Sequence, residues 1–313
     1  MNIFPPDARF DFFGTRFIAY AVSVILLLMA AGSLATKGLN LGLDFTGGVV
    51  VELGYPGGAD IKSIRDTLDE EGFEQAVAQL FGSSESVLVR LPPTGESQSR
   101  VADQVLTALQ AQAADVVMRR VEYVGPSVGK ELLNAGGLAL LVVLAGILVY
   151  VGFRFQLRLA AGATLALAHD LVVVLGVVSL LGIRFDLTVL AAFLALAGYS
   201  INDTIVVFDR LRENFPKMRK SIESEVMNRS INQTMSRTII TSGTTLFTAL
   251  ALVIFGGDAL YGFSLTLLLG IIVGTFSSIY IASALSMDMG LKRRDMLKID
   301  DRERIRPAED SAP

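Results

Sequence analysis

Long blocks of apolar residues dominate this chain and limit what it can fold into. Hydrophobic residues make up 52% of the 313 positions. A helix needs about 20 consecutive apolar residues to cross the hydrocarbon core of a bilayer, where its backbone polar groups must be satisfied internally. The sequence therefore predicts a polytopic α-helical membrane protein with six transmembrane helices, at about 17–35, 135–152, 159–181, 187–209, 239–256 and 261–285.

Basic residues are distributed unequally between the two sides of these spans. Lys and Arg in short loops mark the cytoplasmic side of a membrane protein. They are concentrated before the first span, between the second and third, in residues 210–238 and after the last span, whereas the opposite short connections contain only Arg184. We therefore expect both termini, residues 1–16 and 286–313, to be cytoplasmic and residues 36–134 to form an extracytoplasmic domain. The net charge of −4 gives no reason to expect nucleic-acid binding.

The outer segment has the pattern of a small α+β domain. A Val-rich strand follows the Gly pair at 47–48, and Asp60 is a suitable N-cap for a helix that ends at Gly72. Two strands, a second helix and a last strand follow at about 74–81, 86–91, 97–113 and 115–124. The order βαββαβ predicts a ferredoxin-like domain between helices 1 and 2. The chain has no Cys, so this domain is expected to be stable without disulfides.

Three connecting segments have weaker patterns. Residues 125–129, GPSVG, are interpreted either as a hinge between the outer domain and the second span or as a rigid turn. In the loop 210–238, apolar residues at helical spacing predict an amphipathic helix on the membrane surface; the alternative is a solvated connector packed against the bundle. The tail after Lys298 has the composition of a disordered segment.

The fourth span contains the most unusual residues of the chain. An Asp near the centre of a membrane helix costs about 2.5–3.5 kcal/mol, so Asp203 is expected to face other helices or a wet cavity. Helical spacing groups small and polar residues on one side, which we expect to point inward. These residues are Ala191, Ala195, Gly198 and Asn202, with Tyr199 and Asp203 on the adjoining strip and Ser200 close by. The alternative is that Asn202 and Asp203 only bond neighbouring helices.

The fifth span offers a possible counterpart to Asp203. Arg237 is followed at intervals of three to four by hydroxyl residues, at Thr241, Thr244, Thr245 and Thr248. A guanidinium is always charged and pairs well with a carboxylate. Arg237 could equally extend to the lipid headgroups at the inner boundary, and both interpretations remain open on these residues alone.

The third span contains the only histidine of the chain, His169, next to Asp170. Imidazole titrates near neutral pH, which favours a proton path. Adjacent residues on a helix point about 100° apart, so we expect that they do not both face one site, and a structural role is an equal alternative. One His and no Cys are too few ligands for a zinc, copper or iron site, so no metal site and no other cofactor is predicted.

Several segments resemble the SecF members of the SecD/SecF family, which belongs to the resistance-nodulation-division superfamily. They are DFTGG at 44–48 (Asp44, Phe45, Thr46, Gly47, Gly48), VGPSVGKEL at 124–132, FRF at 153–155, AHDL at 168–171 and YSINDTIVVFDRLREN at 199–214. The resemblance implies a bacterial inner-membrane subunit of protein export that is not an enzyme. It implies SecD as the partner in a heterodimer, the SecYEG channel with its SecA motor, and an unfolded preprotein bound at the outer domain. It also matches Asp203 and Arg237 to an intramembrane charged pair.

Such a pair provides a mechanism. The protonation state of Asp203 would depend on the distance of Arg237, and one proton crossing the membrane potential yields about 2.3 kcal/mol per 100 mV. With SecD, the chain would thus use the proton motive force in late steps of translocation, although sodium is possible as coupling ion. Two other functions remain open: a non-conducting structural subunit, and a small-molecule exporter of the same superfamily.

Overall fold

The computed structural model describes residues 10–93 and 98–292. The first long helix, α1 (Arg16–Thr36), leads through the single turn α2 (Leu43–Thr46) into a sheet region. Its elements are β1 (Gly48–Gly54), α3 (Ile61–Glu70), β2 (Val77–Phe81), β3 (Ser83–Leu91), α4 (Gln98–Gln110) and β4 (Val117–Val124). Four long helices follow: α5 (Pro126–Arg154), α6 (Leu157–Leu180), α7 (Leu187–Lys217) and α8 (Glu223–Phe255). After α8, a final helical segment begins as α9 (Gly257–Phe276) and continues through a π-helical turn, Ser277–Ile281, into α10 (Ala282–Asp288).

Six of these helical segments are long and apolar enough to cross a membrane, as the sequence predicts. Between the first and second lies an antiparallel sheet with the strand order β2-β3-β1-β4. Alternate residues of β1, Val49, Val51 and Leu53, are buried with α3 and α4 in one core. The N-cap prediction for α3 is confirmed, because the Asp60 side chain accepts a hydrogen bond from the Lys62 amide.

Helix α7 packs closely on α9 in the helical bundle. The two helices can approach because α9 presents glycines: a Cβ on Gly270 would lie 2.6 Å from the Leu196 side chain, and one on Gly274 would lie 3.2 Å from Ser200. Small residues at helix contacts allow this approach in membranes. The contact places the polar residues of α7 directly against α9 and its π turn.

The segment 210–238 differs from the predicted loop. Helix α7 continues to Lys217 and α8 begins at Glu223, so only residues 218–222 are non-helical. The apolar stripe of this region is buried against the bundle, which decides between the two predicted arrangements. Val226, Met227, Ile231 and Met235 belong to the core that contains Phe208 and Phe215, and Ile222 alone is exposed, at 62%.

The segment 125–129 is neither a hinge nor a turn, because it is the start of α5. Gly125 is the N-cap, Pro126 follows at the first helical position, where its missing N–H costs nothing, and Gly129 lies within the helix. A Cβ on Gly129 would lie 2.9 Å from the amide nitrogen of Gly47, so the first turn of α5 contacts the DFTGG segment. The predicted start at 135 was late because hydropathy misses the polar first turns.

The C-terminal region agrees with the prediction only where the structure describes it. Helix α10 ends at Asp288, close to the predicted end of the last span at 285. The predicted disordered tail begins after Lys298 and lies outside the described residues.

Burial of the α8 stripe can be tested with a pair of substitutions. Met227 is fully buried whereas Ile222 is 62% exposed. We expect Met227→Ala to lower the free energy of unfolding by about 2–5 kcal/mol, because it leaves a cavity. Ile222→Ala should change it by about 0.5 kcal/mol or less. Unfolding in detergent micelles measures both values; equal losses would contradict packing against the bundle.

Candidate functional site

Asp203 lies inside the bundle, as predicted, and its bonded partner is a serine. Its side chain is 2% exposed, and Ser242 of α8 donates a hydrogen bond to its Oδ2 at 3.3 Å. The Tyr199 hydroxyl donates to Ser242 Oγ at 3.0 Å, and Thr275 Oγ1 of α9 lies 2.8 Å from the same atom. Ser242 therefore links the hydroxyl groups of Tyr199 on α7 and Thr275 on α9 to the buried carboxyl group.

The small-residue strip of α7 does not point inward, which corrects the prediction. Ala191, Ala195, Gly198 and Asn202 are all exposed on the outside of the bundle, whereas Asp203 is buried. The prediction was wrong because small residues permit close packing but do not indicate whether the partner is a helix of the same bundle or one outside it. The buried strip of α7 contains larger residues, because α9 supplies the glycines at that contact.

Arg237 and most of the hydroxyl ladder also lie outside. Arg237, Thr244 and Thr248 are exposed, and Thr241 and Thr245 are half-buried. The hydroxyl groups of all four Thr residues bond to carbonyl oxygens of their own helix. Among the described residues, the ion pairs do not include one between Arg237 and Asp203. Arg237 is nevertheless close enough to Asp203 for a Coulombic interaction.

Sequence reasoning missed Ser242, although a pattern could have identified it. Thr238, Ser242 and Ala249 are buried and Thr245 is half-buried, at the spacing i, i+4, i+7 and i+11 of one helix face. The face that begins at Arg237 drew attention because it is the more polar one. In this bundle the more polar face is the exposed one.

His169 and Asp170 do meet, which contradicts the argument from helix geometry. His169 Nδ1 lies 2.9 Å from Asp170 Oδ1, and the two residues are 8% and 0% exposed. The angle of 100° applies to the Cα–Cβ directions, and the side chains are long enough to turn toward each other. Ser200 of α7 donates to Asp170 Oδ2 at 2.6 Å, so α6 and α7 are joined at this level.

The π turn completes this second polar cluster. The Ser277 hydroxyl lies near Asp170 and donates to the carbonyl of Ala166 at 3.5 Å. Ser278 donates to the carbonyl of Ser200 at 3.2 Å and lies 3.0 Å from Thr204 Oγ1. π turns inside α-helices are frequent at functional sites. Here the turn brings two consecutive serines to the network around Ser200.

The DFTGG segment connects the sheet to the membrane helices. Asp44 Oδ2 accepts a hydrogen bond from the amide of Leu187, the first residue of α7, at 2.9 Å. The Phe45 ring lies 5.8 Å from that of Phe185 in the connection before α7. Gly47 and Gly48 have φ angles of 69° and 118°, which non-glycine residues rarely adopt. Thr46 hydrogen-bonds the carbonyls of Gly42 and Gly47, so its hydroxyl holds the turn itself.

Within residues 10–93 and 98–292, no group of three or more His, Cys, Asp and Glu side chains is placed to hold a metal ion. The two clusters bring carboxyl and imidazole groups, which can bind protons, into contact with hydroxyl groups, which can relay them.

Six helices that are long and apolar enough to cross a membrane, together with a small antiparallel sheet, indicate a multi-pass membrane protein with two buried acids among its helices. The profile of the protein export membrane protein SecD/SecF, C-terminal, matches residues 104–292, and that of the SecD/SecF GG motif matches residues 32–55. The chain belongs to the SecD/SecF family.

Curated relatives cover most of this chain. A protein translocase subunit SecF from Vibrio alginolyticus is 51% identical over 282 residues, covering 90% of each chain. One from Escherichia coli O157:H7 is 48% identical over 292 residues, covering 92% of this chain and 90% of the relative. The crystal structure of SecDF from Thermus thermophilus, a translocon-associated membrane protein, superposes with a TM-score of 0.83 at 40% identity. That match covers 92% of this chain and 39% of the longer SecDF chain.

The contact between Asp44 and α7 predicts a local effect on hydrogen exchange. A hydrogen bond to a charged group contributes about 1.5–3 kcal/mol, so Asp44→Ala should speed exchange at the amide of Leu187 about tenfold or more. Asp44→Asn retains an acceptor and should have a smaller effect. Amide exchange of the full chain in lipid nanodiscs, read by mass spectrometry of peptides that contain Leu187, measures the change.

Asp60→Ala is the matched control, because it removes the corresponding cap of α3. It should speed exchange at Lys62 and leave Leu187 unchanged. If Asp44→Ala leaves exchange at Leu187 unaltered, the sheet is not attached to α7 in this way.

Proposed function

We propose that this chain is the SecF subunit of the protein-export machinery and acts with a SecD partner in the bacterial inner membrane. The names of its relatives support the role, and the SecDF match supports the partner, because this chain corresponds to 39% of a longer chain. SecYEG, SecA and an unfolded preprotein are the further partners of this proposal. The role is mechanical and electrostatic, not enzymatic.

One observation carries the proposal: a polar face on the outside of an apolar bundle. Asn202 of α7 and Arg237, Thr244 and Thr248 of α8 are exposed on two helices that pack side by side. Uncovered amide and guanidinium groups are costly in hydrocarbon. The exposed strip of Ala191, Ala195 and Gly198 continues this face and permits close approach of another helix. A second membrane subunit with its own polar residues would satisfy both requirements, and SecD is that subunit.

This face lies next to the buried carboxyl group, which suggests how ion movement is coupled. Asp203 is reached from inside through Ser242 and is near Arg237, which faces the proposed partner. A proton on Asp203 removes its charge and therefore its attraction to Arg237. Movement of the partner against α7 and α8 would thus alternate with proton binding, with about 2.3 kcal/mol available per 100 mV of membrane potential. Protons are the proposed coupling ion.

The sheet is proposed to be a ferredoxin-like domain outside the membrane, with both termini in the cytoplasm. The βαββαβ order and the strand order β2-β3-β1-β4 support the ferredoxin-like fold of this domain. The basic residues support the cytoplasmic position of the termini, since Arg154, Arg212 and Lys217 lie near the helix ends opposite the sheet. Asp44 joins this domain to α7, so movement of α7 would reach a preprotein bound outside.

Proton coupling predicts the effect of two substitutions in the site. Asp203→Asn and Arg237→Met should each lower export driven by a proton gradient about tenfold or more, because the charge change that moves α7 is lost. Export driven by ATP alone should change little. Vesicles reconstituted with SecD, SecYEG and SecA, with and without a gradient, measure both components.

Asp209→Asn is the matched control, because Asp209 lies on the same helix in a half-exposed pair with Arg154. It should export normally. Normal gradient-driven export in Asp203→Asn and Arg237→Met would end the coupling proposal and favour a structural subunit.

The outward face predicts where the partner binds. Space is open around Gly198, so Gly198→Leu should fold but obstruct a close helix, and we expect co-purification with SecD to fall about tenfold. Gly146→Leu is the control, because Gly146 is equally open but lies beside apolar residues such as Val142 and Val149. Equal recovery of SecD with both variants would place the interface elsewhere. Purification of only copies of this chain would favour a homo-oligomeric exporter.

A further inference from the structure

The cluster of His169, Asp170 and Ser200 is not used by the proposed coupling at Asp203. All three side chains are buried, and Asp170 is completely enclosed. The cluster lies between α6, α7 and the π turn, away from the exposed face that contains Asn202 and Arg237. It deserves a separate explanation, because buried ionisable residues in membrane helices are functional candidates.

Asp170 has the hydrogen bonds of an ionised carboxylate. Oδ2 accepts from Ser200 at 2.6 Å, and Oδ1 faces His169 Nδ1 at 2.9 Å. An ionised carboxylate is an acceptor only, with room for several donors. If His169 donates from Nδ1, each carboxylate oxygen accepts from one donor, and neither bond requires a proton on Asp170.

The opposite nitrogen of the same imidazole has no partner. His169 Nε2 is fully buried, and no described residue forms a hydrogen bond with it. An unpaired buried polar atom is costly, whether it is the lone pair of neutral histidine or the N–H of the cation. The position therefore has one polar partner fewer than it needs, and a single water molecule would supply it.

Charge balance favours the cation. Neutral histidine beside the Asp170 carboxylate would leave one buried negative charge without a counterion, whereas imidazolium would neutralise it. Lys and Arg residues on the elements that pack against α6 lie near helix ends or, on α7, from Arg210 onward, and Asp203 is a further acid. The remaining titratable side chains of those elements within the described residues are Tyr20, Tyr150, Tyr199, Asp209, Glu213, Tyr261, Tyr280, Asp288 and Glu131.

We propose that His169 is a second proton-binding site, whose imidazolium is held by Asp170 and whose state is transmitted to α7 through Ser200. Water delivers the proton to Nε2, where a new N–H bond forms from the nitrogen lone pair and hydronium becomes water. Release reverses the step: the N–H bond breaks, its electron pair stays on Nε2, and water takes the proton. The coupling part rests on the proposed function, whereas proton binding itself does not.

Ser200 connects this site to α7 in two ways. Its hydroxyl bonds to Asp170, and its carbonyl accepts from Ser278 of the π turn. Loss of the proton from His169 would leave a net negative charge between α6 and α7, which is tolerated only if the helices part and admit water. Because Ser200 is one turn before Asp203, such a separation would move the carboxyl group of the first site as well.

The only histidine of the chain gives a direct readout of the site. The full chain, labelled with ¹⁵N-histidine and purified in nanodiscs through a tag without histidine, gives one pair of ring nitrogen signals. Imidazolium gives two similar nitrogen shifts, whereas neutral histidine gives two very different ones. Spectra are recorded between about pH 5 and about pH 9. We expect the imidazolium signal of His169 in at least part of this range, because Asp170 supplies the counterion. A neutral ring throughout this range would overturn the proposal.

Variants separate the role of Asp170 from general packing. Asp170→Asn keeps the shape but removes the charge, and the population of imidazolium at a given pH should fall about tenfold or more. Ser179→Ala is the control, because Ser179 is another buried serine, hydrogen-bonded to Ser33 at the C-terminal end of α6. It should leave the signal unchanged. If Asp170→Asn retains the wild-type imidazolium signal, Asp170 does not hold the proton.

Export measurements then test the connection to α7. Ser200→Ala should lower gradient-driven export about two- to tenfold, the effect of one hydrogen bond to a charged group, while Ser179→Ala should not. Co-purification with SecD shows that each variant is folded. If Ser200→Ala exports normally while Asp203→Asn fails, the second site is not coupled and the proposed function stands. If Asp203→Asn exports normally, the proposed function fails, and the His169 signal still decides whether the proton is bound.

Discussion

The hydrogen bonds of buried polar groups determine this structure, because hydrocarbon supplies no alternative partners. Asp203 and Asp170 lie in a bundle whose hydrophobic core consists of Leu, Val, Ile, Phe, Ala and Met side chains. Each acid accepts a hydrogen bond from a serine of a neighbouring helix: Ser242 for Asp203, and Ser200 for Asp170. The two clusters share α7, which is therefore the helix whose position both acids affect.

Close packing of α7 makes these short hydrogen bonds possible. The glycines of α9 let it approach Leu196 and Ser200, and the π turn then directs Ser277 and Ser278 toward the same level. At the sheet end, Asp44 supplies a partner for the first amide of α7. Neighbouring helices, the π turn and the sheet domain thus each contact the helix that contains Asp203.

Much of this architecture could be predicted from the sequence, because hydropathy and turn residues act locally. The six spans, the order of strands and helices, and the cap at Asp60 all follow from short-range patterns. The choice of helix face could not be predicted, since small and polar residues suit both a tight internal contact and a contact with another subunit. The same limit applied to His169 and Asp170, whose contact depends on side-chain rotamers and not on helical spacing.

The length of the α7–α8 hairpin has a mechanical consequence. Helices of 31 and 33 residues are about 46 and 50 Å long, whereas the hydrocarbon core measures about 30 Å. The pair therefore extends beyond the membrane as one stiff rod, because Phe208, Phe215 and Met227 fix the two helices to each other. A tilt of a few degrees at the level of Asp203 would become a displacement of a few ångströms at the tip, so an event in the bilayer would be detectable from the aqueous side without any flexible linker.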